Sequence, residues 1–430
     1  MKLNIRSIAI AFTSALLLLA SAHAAAQAVE PVLALAKKEK DPLLGTLREI
    51  VSIETGSRDR EGLDKLADLI AARLKTLGAS VEMIEPGADV YKMHDTPEKI
   101  GKMVKGTFKG TGKAKILLIA HMDTVYPRGT LGKQPFRIDG DRAYGLGIAD
   151  DKQGVALILH VVSMLKSLSF NDYGTLTVFI NGDEEISSPA SRGHLTKLGA
   201  EHDVTMSFEG SRIESDKLSL ATAGIAAVTL TVVGRASHSG SAPERGINAL
   251  YELSHQLLQT KDLSEPKTGV KMNWTMANAG VTRNMIPPRA EAAADVRVLR
   301  VADYDGIEQR VRERIKNQLL PDSKVEMEFE RRRPPLESNP ASEALARHAQ
   351  RIYQEIGMKL VVDAVAEGGG TDAAFAALKT KNAVVERFGL RGLGAHSNDS
   401  EYVLVSSIEP RLYLSTRLIM DISQGKVPRN

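Results

Sequence analysis

The stretch that most constrains the fold of this chain runs from Ile116 to Val125 and reads ILLIAHMDTV. Its first five residues are continuously apolar, which is typical of a strand buried on both faces of a sheet. Polar residues follow at the carboxyl end of that strand, the edge of an open α/β sheet where ligands bind. His121 and Asp123 are two positions apart on an extended backbone, so their side chains point the same way. Such a pair suits a metal ligand and the acid that orients it, although a hydrogen-bonded surface histidine fits the same pattern.

Around this strand the spacing of apolar residues predicts alternating helices and strands. Two amphipathic helices between Asp41 and Leu77, broken at Gly56, lead to a first strand at Val81–Ile84. The same texture resumes late in the chain with a helix at Ala341–Ile356 and ends with a helix at about Ser407–Ile422. These elements predict an α/β domain.

Length and composition limit the class of protein. The 430 residues are too many for one ordinary core, so we expect two domains, one inserted in the other. The formal net charge of +3 is small, and the only basic run, Arg331–Arg333, is too short for a polybasic tract, so no nucleic-acid partner is predicted. The chain has no cysteine, and any metal must therefore be held by histidines and carboxylates.

The first residues differ in kind from the rest. A basic start and a mostly apolar run from Ile8 to Ala20 are followed by small residues. This pattern is typical of a secretory signal peptide at residues 1–26, with cleavage after Ala24 or Ala26. An uncleaved anchor is the alternative, although the run is short for a permanent span, and no later stretch could span a bilayer. We therefore expect a periplasmic or secreted protein that has no membrane contact after cleavage.

Four later stretches also place acids or a histidine at strand ends, at a helix start or in neighbouring loops. These residues are Asp150, Asp151, Glu184, Glu185, Glu209 and His396. The two aspartates of GIADDKQG stand where a helix is predicted to begin, and helix capping alone would explain one of them. The acids of GDEE follow a buried strand and repel one another unless a cation is present. Together with HMDT, the stretches can assemble a two-metal site.

The pattern of predicted secondary structure changes in residues 223–333. The predicted elements are a strand at Ile225–Val233, a helix at Asn248–Gln259, strands at Val270–Met276 and Ala290–Val298, a helix at Tyr304–Leu319 and a strand at Val325–Phe329. The order βαββαβ fits a split ferredoxin-like sheet with helices on one face. We therefore predict an α+β domain inserted into the α/β domain.

The stretches AHMDTVY, GIADDKQG, DEE, ASHSG and GGGTDAA occur in this order and are together highly specific. From about residue 40 to 425 the chain resembles the co-catalytic dizinc metallopeptidase family that includes glutamate carboxypeptidase, aminoacylase and succinyl-diaminopimelate desuccinylase, with the strongest likeness to glutamate carboxypeptidase. The resemblance implies an α/β catalytic domain, at 27–222 and 334–430, with a zinc-peptidase-like mixed sheet flanked by helices. The insert at 223–333 would be a ferredoxin-like lid that forms a homodimer.

The resemblance also implies two zinc ions per chain. Asp150 would bridge them, one ion would add His121 and Glu209, and the other would add Glu185 and His396. The bond between Asp150 and Asp151 resembles a cis peptide of the family.

Two acids have implied roles beside the metal. Asp123 would orient His121, while Glu184, beside a ligand but not itself one, would be the general base that moves a proton from water to the leaving amine.

Further residues resemble substrate-binding positions of the family. His238 would reach an active site, that of the partner subunit, to stabilise the developing oxyanion. Asn284 and Arg297 would hold the substrate α-carboxylate, and Lys217 and Arg333 look like the cations of a glutamate pocket. A surface histidine and a strand-end arginine are the structural alternatives for His238 and Arg297.

One departure concerns Glu367, which stands where glutamate carboxypeptidase has a threonine before three glycines. A buried acid facing an acidic substrate side chain is repulsive unless a cation pairs with it.

The leading hypothesis is an exported dizinc exopeptidase that releases a C-terminal amino acid, with glutamate expected, from peptides or N-acyl conjugates such as folates. An aminoacylase-like N-acyl-amino-acid amidohydrolase is the nearest alternative. An inactive binding protein on the same fold is a third, but such a protein has no need of the free base Glu184.

Overall fold

The computed structural model describes residues 27–397 and 399–427. The signal peptide predicted at residues 1–26 lies outside the described residues. Within the described part of the chain, no helix combines the length and the apolar character needed to cross a membrane.

The helices, in chain order, are α1 (Glu30–Val51), α2 (Arg60–Leu77), α3 (Gln153–Ser167), α4 (Arg192–Glu201), α5 (Ala249–Thr260), α6 (Asp303–Arg314), α7 (Pro340–Glu355), α8 (Asp372–Ala377) and α9 (Ile408–Ser423). The strands are β1 (Ser80–Ile84), β2 (Met103–Lys109), β3 (Lys115–His121), β4 (Arg137–Asp139), β5 (Arg142–Tyr144), β6 (Thr175–Asn181), β7 (Val204–Ser207), β8 (Ser211–Arg212), β9 (Lys217–Ser219), β10 (Gly224–Val233), β11 (Lys271–Ala279), β12 (Arg289–Val298), β13 (Lys324–Arg333), β14 (Val361–Asp363), β15 (Ala383–Val385), β16 (Arg391–Leu393) and β17 (Tyr402–Leu404).

The central sheet has six strands in the order β1-β2-β6-β3-β7-β15. Strands β6, β3, β7 and β15 run parallel, and β2 is antiparallel to both of its neighbours, β1 and β6, so β1 runs in the same direction as the other four. Leu118 of β3 packs into the core formed with α1, α2, α3 and α9, and Ile119 packs into the core under α4 and α8. The strand is therefore buried on both faces, as predicted, in a mixed sheet flanked by helices.

The register of this sheet brings the acidic stretches to one edge. His121 at the end of β3 pairs with Asn181 at the end of β6, and Ile119 pairs with Ser207 at the end of β7. Because parallel strands end at the same edge, the residues that follow β6 and β7 meet His121 there.

Helix α1 is longer than the sequence predicted. The expected start was Asp41, next to a proline that suits the first turn of a helix. In the structure α1 begins at Glu30 and continues through Pro42. Val32 and Ala36 are buried in the core that α1 shares with α9. This packing offsets the hydrogen bond that Pro42 cannot donate.

A second, antiparallel sheet spans residues 224–333 and has the strand order β11-β12-β10-β13. Helices α5 and α6 contribute to the cores on this sheet. Numbered along the chain, the strands lie in the order 2-3-1-4, which is the ferredoxin-like arrangement that the βαββαβ pattern predicted. The boundaries of the inserted domain, residues 223 and 333, remain a prediction. The extent of this sheet supports them.

Short strands form a further five-stranded sheet, β4-β5-β17-β16-β8, which the sequence did not predict. All five of its strands have only two or three residues, too few to establish a period of two along the chain. The loop between β16 and β17 carries His396 to the edge of the central sheet.

Candidate active site

Asp150 lies between two histidines at the carboxyl edge of the central sheet. Its Oδ1 is 3.0 Å from Nε2 of His121, and its Oδ2 is 3.4 Å from Nε2 of His396. Oε1 of Glu209 is 3.3 Å from Nε2 of His121, and Oε2 of Glu185 is 3.2 Å from Nε2 of His396. The structure thus brings the five predicted ligands into two groups that share Asp150. In each group the ligand atoms lie within 4.8 Å of one another. The peptide bond from Asp150 to Asp151 is cis.

The chemistry of this donor set fits divalent metal ions. Burial, together with the nearby charge of Asp150, raises the pKa of Glu185 to about 7. Oε1 of Glu185 is buried and has no hydrogen-bond partner among the described residues. Carboxylates crowded in this way are stabilised as anions when a cation lies between them. Histidine nitrogens and carboxylate oxygens are ligands that zinc accepts, and Asp150 has an oxygen available for each group.

Asp123 connects His121 to the acidic turn after β6. Its Oδ1 is 3.2 Å from Nδ1 of His121. Its two oxygens accept the backbone N–H groups of Glu184 and Glu185 at 3.1 and 3.0 Å, and Ser57 donates to it at 2.8 Å. These contacts support the predicted orienting role, and they also hold the backbone of Glu184, a contact that sequence reasoning missed.

Glu184 is buried beside the two groups and belongs to neither of them. Burial raises its pKa well above the usual range, although the charge of Arg333 opposes this effect. Nη1 of Arg333 lies 3.0 Å from Oε1 of Glu184, and Nη2 donates to the Glu184 carbonyl at 2.5 Å. Arg333 therefore contacts the predicted base, and its predicted role in a glutamate pocket gains no support from these contacts.

Glu401 was missed by the sequence reasoning and organises the Asp150 loop. It is fully buried and accepts the backbone N–H groups of Gly147, Ala149 and Asp150 at 2.9, 2.8 and 3.2 Å. Burial raises its pKa to about 7, and the hydrogen bond from Tyr126 opposes that shift. The only signal in the sequence is that Glu401 is an acid five residues after His396. None of the motifs named above includes it.

Glu367 is paired with cations, so it is not the unpaired acid that would repel an acidic substrate side chain. Nζ of Lys217 lies 2.6 Å from its Oε1 and 2.7 Å from Oδ2 of Asp363. Arg212 donates to the other oxygen of Glu367, with Nε at 2.9 Å. Burial acts to raise the pKa of Glu367, but these two cations lower it to about 2. Arg212, on a two-residue strand, was not predicted.

Two cavities border the metal-binding groups. One of about 520 Å³ is lined by residues that include Ser57, Tyr126 and Glu185. Another of about 300 Å³ is lined by residues that include Asp150 and Arg212. Each of the two groups that share Asp150 therefore contributes to the lining of a cavity.

The predicted substrate residues of the insert do not all lie together in one chain. The backbone N–H of Ser239, next to His238, donates to the Asn284 carbonyl at 3.1 Å, so His238 and Asn284 share one end of the second sheet. Arg297 is eight residues along β12 from Arg289, about 26 Å at the usual rise of a strand, and so lies toward the opposite end.

Arg297 lies at the same end of the second sheet as Arg333, the arginine that contacts Glu184. Ile225 pairs with both Arg297 and Arg333, so the two arginines flank one strand. Arg297 forms a two-pronged pair with Asp295, at 2.9 and 3.0 Å, and donates to the Gly368 carbonyl at 2.8 Å. Asn284 and Arg297, predicted to bind one carboxylate, are thus apart within a single subunit.

Two adjoining groups of histidine and carboxylate side chains that could hold metal, with a buried acid beside them, are typical of a metal-dependent hydrolase. Residues 117–421 match Peptidase family M20/M25/M40. The chain is 42% identical over 391 residues to Carboxypeptidase G2 of Pseudomonas sp. (strain RS-16), covering 91% of this chain and 92% of that relative. The protein therefore belongs to Peptidase family M20/M25/M40, whose members are metal-dependent, and is a hydrolase acting on peptide or amide bonds.

More distant relatives agree with this assignment. The chain is 26% identical over 275 residues to N-acetyl-L-citrulline deacetylase of Xanthomonas campestris, covering 61% of this chain and 68% of the relative. An M20 family metallo-carboxypeptidase from Sulfolobus solfataricus shares the fold with a TM-score of 0.69 at 17% identity, covering 88% of this chain and 98% of that structure. Aminopeptidase PepT from Bacillus cereus has a TM-score of 0.70 at 19% identity, covering 89% and 98%.

Proposed function

We propose that this protein is a carboxypeptidase with two zinc ions per chain that releases a C-terminal amino acid, preferentially glutamate, from peptides or N-acyl conjugates such as folates. The observation that carries the proposal is the sharing of Asp150 between two groups of ligands, with Glu184 outside both. The 42% identity to Carboxypeptidase G2 favours removal of a C-terminal residue over other amide hydrolysis.

The residues of the site divide the chemical work. His121, Asp150 and Glu209 would hold one zinc ion, and Glu185 and His396, with Asp150, the other. The chemistry that such a pair supplies when bound is activation of water and polarisation of the scissile carbonyl.

Glu184 acts as the general base in this proposal. Its carboxylate accepts the proton of the attacking water and passes it to the nitrogen of the leaving amino acid. Asp123 supports this step by holding both the His121 ring and the backbone of Glu184.

A homodimer completes the site in this proposal. His238 and Asn284 lie toward the far end of the second sheet from Arg297 and Arg333, so one subunit does not supply all of them to one substrate. Strand β11 is an edge strand on which Met276 is 69% exposed. Exposed apolar side chains on an open edge suit pairing with a second copy, which would bring in the partner's His238 and the partner's Asn284.

The substrate side chain is proposed to lie near the cations that Glu367 contacts. Three cations, Lys217, Arg212 and Arg387, contact Glu367, and Asp363 contacts Lys217, so three positive charges face two negative ones and the net charge is only +1. This near balance is the observation that favours the second candidate, an aminoacylase-like amidohydrolase that accepts neutral side chains.

Export is proposed from the sequence of residues 1–26 alone. A signal peptide there would deliver the enzyme to the periplasm or the medium, where small peptides and N-acyl amino acids are its expected substrates.

A hydrolysis screen with added zinc tests the proposed function. Matched N-acyl dipeptides and folate-type conjugates ending in glutamate, glutamine and alanine are each compared with their C-terminal amides. We expect hydrolysis of the free acids only, with glutamate fastest, because Arg297 needs a carboxylate. Chelation should abolish turnover, zinc should restore it, and metal analysis should give close to two ions per chain. Full activity with one tightly bound ion, or equal hydrolysis of the amides, would contradict the proposal.

A further inference from the structure

Arg333 and Asp372 form a buried ion pair behind Glu184. Arg333 is 3% exposed and Asp372, the first residue of α8, is 5% exposed. Nη1 of Arg333 lies 3.0 Å from Oδ1 of Asp372, and Asn181 donates to the other oxygen at 2.8 Å. Ser188 also donates to Asp372 through its hydroxyl. The carboxylate of Asp372 is therefore held from several directions and has little freedom to move.

The same guanidinium reaches Glu184 with both of its terminal nitrogens. Nη1 is 3.0 Å from Oε1 of Glu184, and Nη2 donates to the Glu184 carbonyl. A Cβ atom at Gly370 would lie 2.4 Å from Cδ of Arg333, so the third glycine of the GGG run leaves room for this side chain. The planar fork of arginine makes such a geometry rigid, because its donors keep their relative directions.

We propose that Asp372 is a positioning residue for catalysis: it holds Arg333, and Arg333 holds the carboxylate of Glu184 toward the metal-binding groups. The inference rests on the proposed function of Glu184 as general base. With one oxygen of Glu184 bound to Arg333, the other is left for water. Without Asp372 the buried guanidinium loses a counter-charge and a hydrogen bond, and both keep it in place.

This assignment differs in its consequences from a glutamate-pocket role for Arg333. A cation that binds the substrate side chain affects acidic substrates and acts mainly on KM. A residue that orients the base affects the chemical step for every substrate alike. Substrate comparison therefore separates the two roles.

The test uses Asp372→Asn and Arg333→Lys, both zinc-loaded, with substrates ending in glutamate, glutamine and alanine. Base catalysis contributes on the order of a hundred- to ten-thousand-fold, and a misplaced base loses part of that. We expect kcat to fall about 10- to 100-fold for all three substrates, with KM changed less than about twofold. Zinc content should equal that of the wild type.

Asp421→Asn is the matched control, since Asp421 is also buried and pairs with Arg417 at 2.9 Å, away from the site. It should keep wild-type kcat even if its thermal midpoint falls as far as that of Asp372→Asn. Unchanged kcat in Asp372→Asn, or a loss confined to glutamate substrates, would overturn the inference.

Crystal structures of zinc-loaded wild type and of both variants separate failure of the inference from failure of the proposed function. The Glu184 carboxylate should be displaced in Asp372→Asn and in Arg333→Lys. If the wild type hydrolyses none of the substrates, the proposed function fails, and an unmoved Glu184 in both variants would overturn the positioning role independently.

Discussion

The carboxylate of Glu401 accepts the backbone N–H of Asp150 at 3.2 Å. The hydroxyl of Tyr126 lies 2.6 Å from Glu401 and 2.9 Å from the carbonyl of Ser397, next to His396. Glu401 and Tyr126 thus connect the loop that carries the shared carboxylate to the loop that carries a histidine of the second group.

Glu401→Gln should weaken metal binding without removing any ligand. An amide has one acceptor oxygen, so it cannot accept all the N–H groups that Glu401 now accepts. Residues that orient ligands typically change metal affinity about 10- to 100-fold. Zinc titration should show this loss for one ion, held by Asp150, Glu185 and His396, more than for the other. Equal affinity for both ions in variant and wild type would contradict the role of Glu401.

Glu184→Gln and Glu185→Gln should fail in different ways. Glu184 lies outside both ligand groups, so its glutamine variant should keep its zinc and lose about a hundred-fold or more in kcat. Glu185→Gln should lose zinc together with activity, since Glu185 belongs to a group. Metal analysis beside steady-state kinetics distinguishes them, and more than about a tenth of wild-type activity in Glu184→Gln would show that another group is the base.

Mixing two inactive variants should restore activity if His238 acts on a neighbouring subunit. A dimer of one Glu184→Gln subunit and one His238→Ala subunit has one intact composite site. Equal mixing with free exchange should therefore give about a quarter of the wild-type rate. Subunit exchange is verified with differently tagged chains, and absence of recovery despite exchange would place His238 outside the partner's site.

Glu367→Thr should sharpen the preference for glutamate. The change removes the acid that pairs with Lys217 and Arg212, so Arg212 becomes available to an acidic substrate side chain and Lys217 keeps only its pair with Asp363. The measurement is kcat/KM for matched substrates ending in glutamate, glutamine and alanine. Lys217→Gln, which removes a cation, should shift the preference the opposite way. A wild-type preference for alanine with no gain for glutamate in Glu367→Thr would refute the pocket assignment.

Glu386 should make the free energy of unfolding depend on pH, so that the protein becomes less stable as the pH rises. Burial, together with the charge of Glu209, raises its pKa to about 8. The pKa of a glutamate in the unfolded chain is about 4.3. Between the unfolded and the folded pKa the folded state binds more protons than the unfolded state, so stability falls as pH rises. The thermal midpoint of the wild type should therefore fall relative to that of Glu386→Gln between about pH 5 and pH 8.

Glu308 offers the control for this measurement. Its pKa is lowered, because hydrogen bonds from Arg312 and Arg331 outweigh the effect of burial, and it is ionised across that range. The difference between wild type and Glu308→Gln should be flat with pH. A flat difference for Glu386→Gln as well would show that Glu386 does not titrate in this window.

The periodicity of the chain was sufficient to predict the buried strand before His121 and the βαββαβ order of the insert, whereas the ligand set was implied by the resemblance of the motifs to a known family. Each of these features repeats locally, because side chains alternate on a strand and parallel strands end at the same edge. Through that resemblance the motifs predicted five ligands and the base Glu184, and the structure brings the five candidate ligands into two groups that share Asp150.

The tertiary structure alone decided which charged and polar groups contact one another. Arg333 and Glu184 are 149 positions apart, Arg212 and Glu367 are 155 apart, and Glu401 lies 251 positions from the Asp150 N–H that it accepts. No local pattern encodes such pairs, because they depend on how separate elements pack. The register of β10 and β12 likewise places Asn284 and Arg297 toward opposite ends of one sheet. Sequence thus predicted the candidate donor set, whereas packing decided its neighbours, because a buried charge needs a partner and only the fold brings distant residues together.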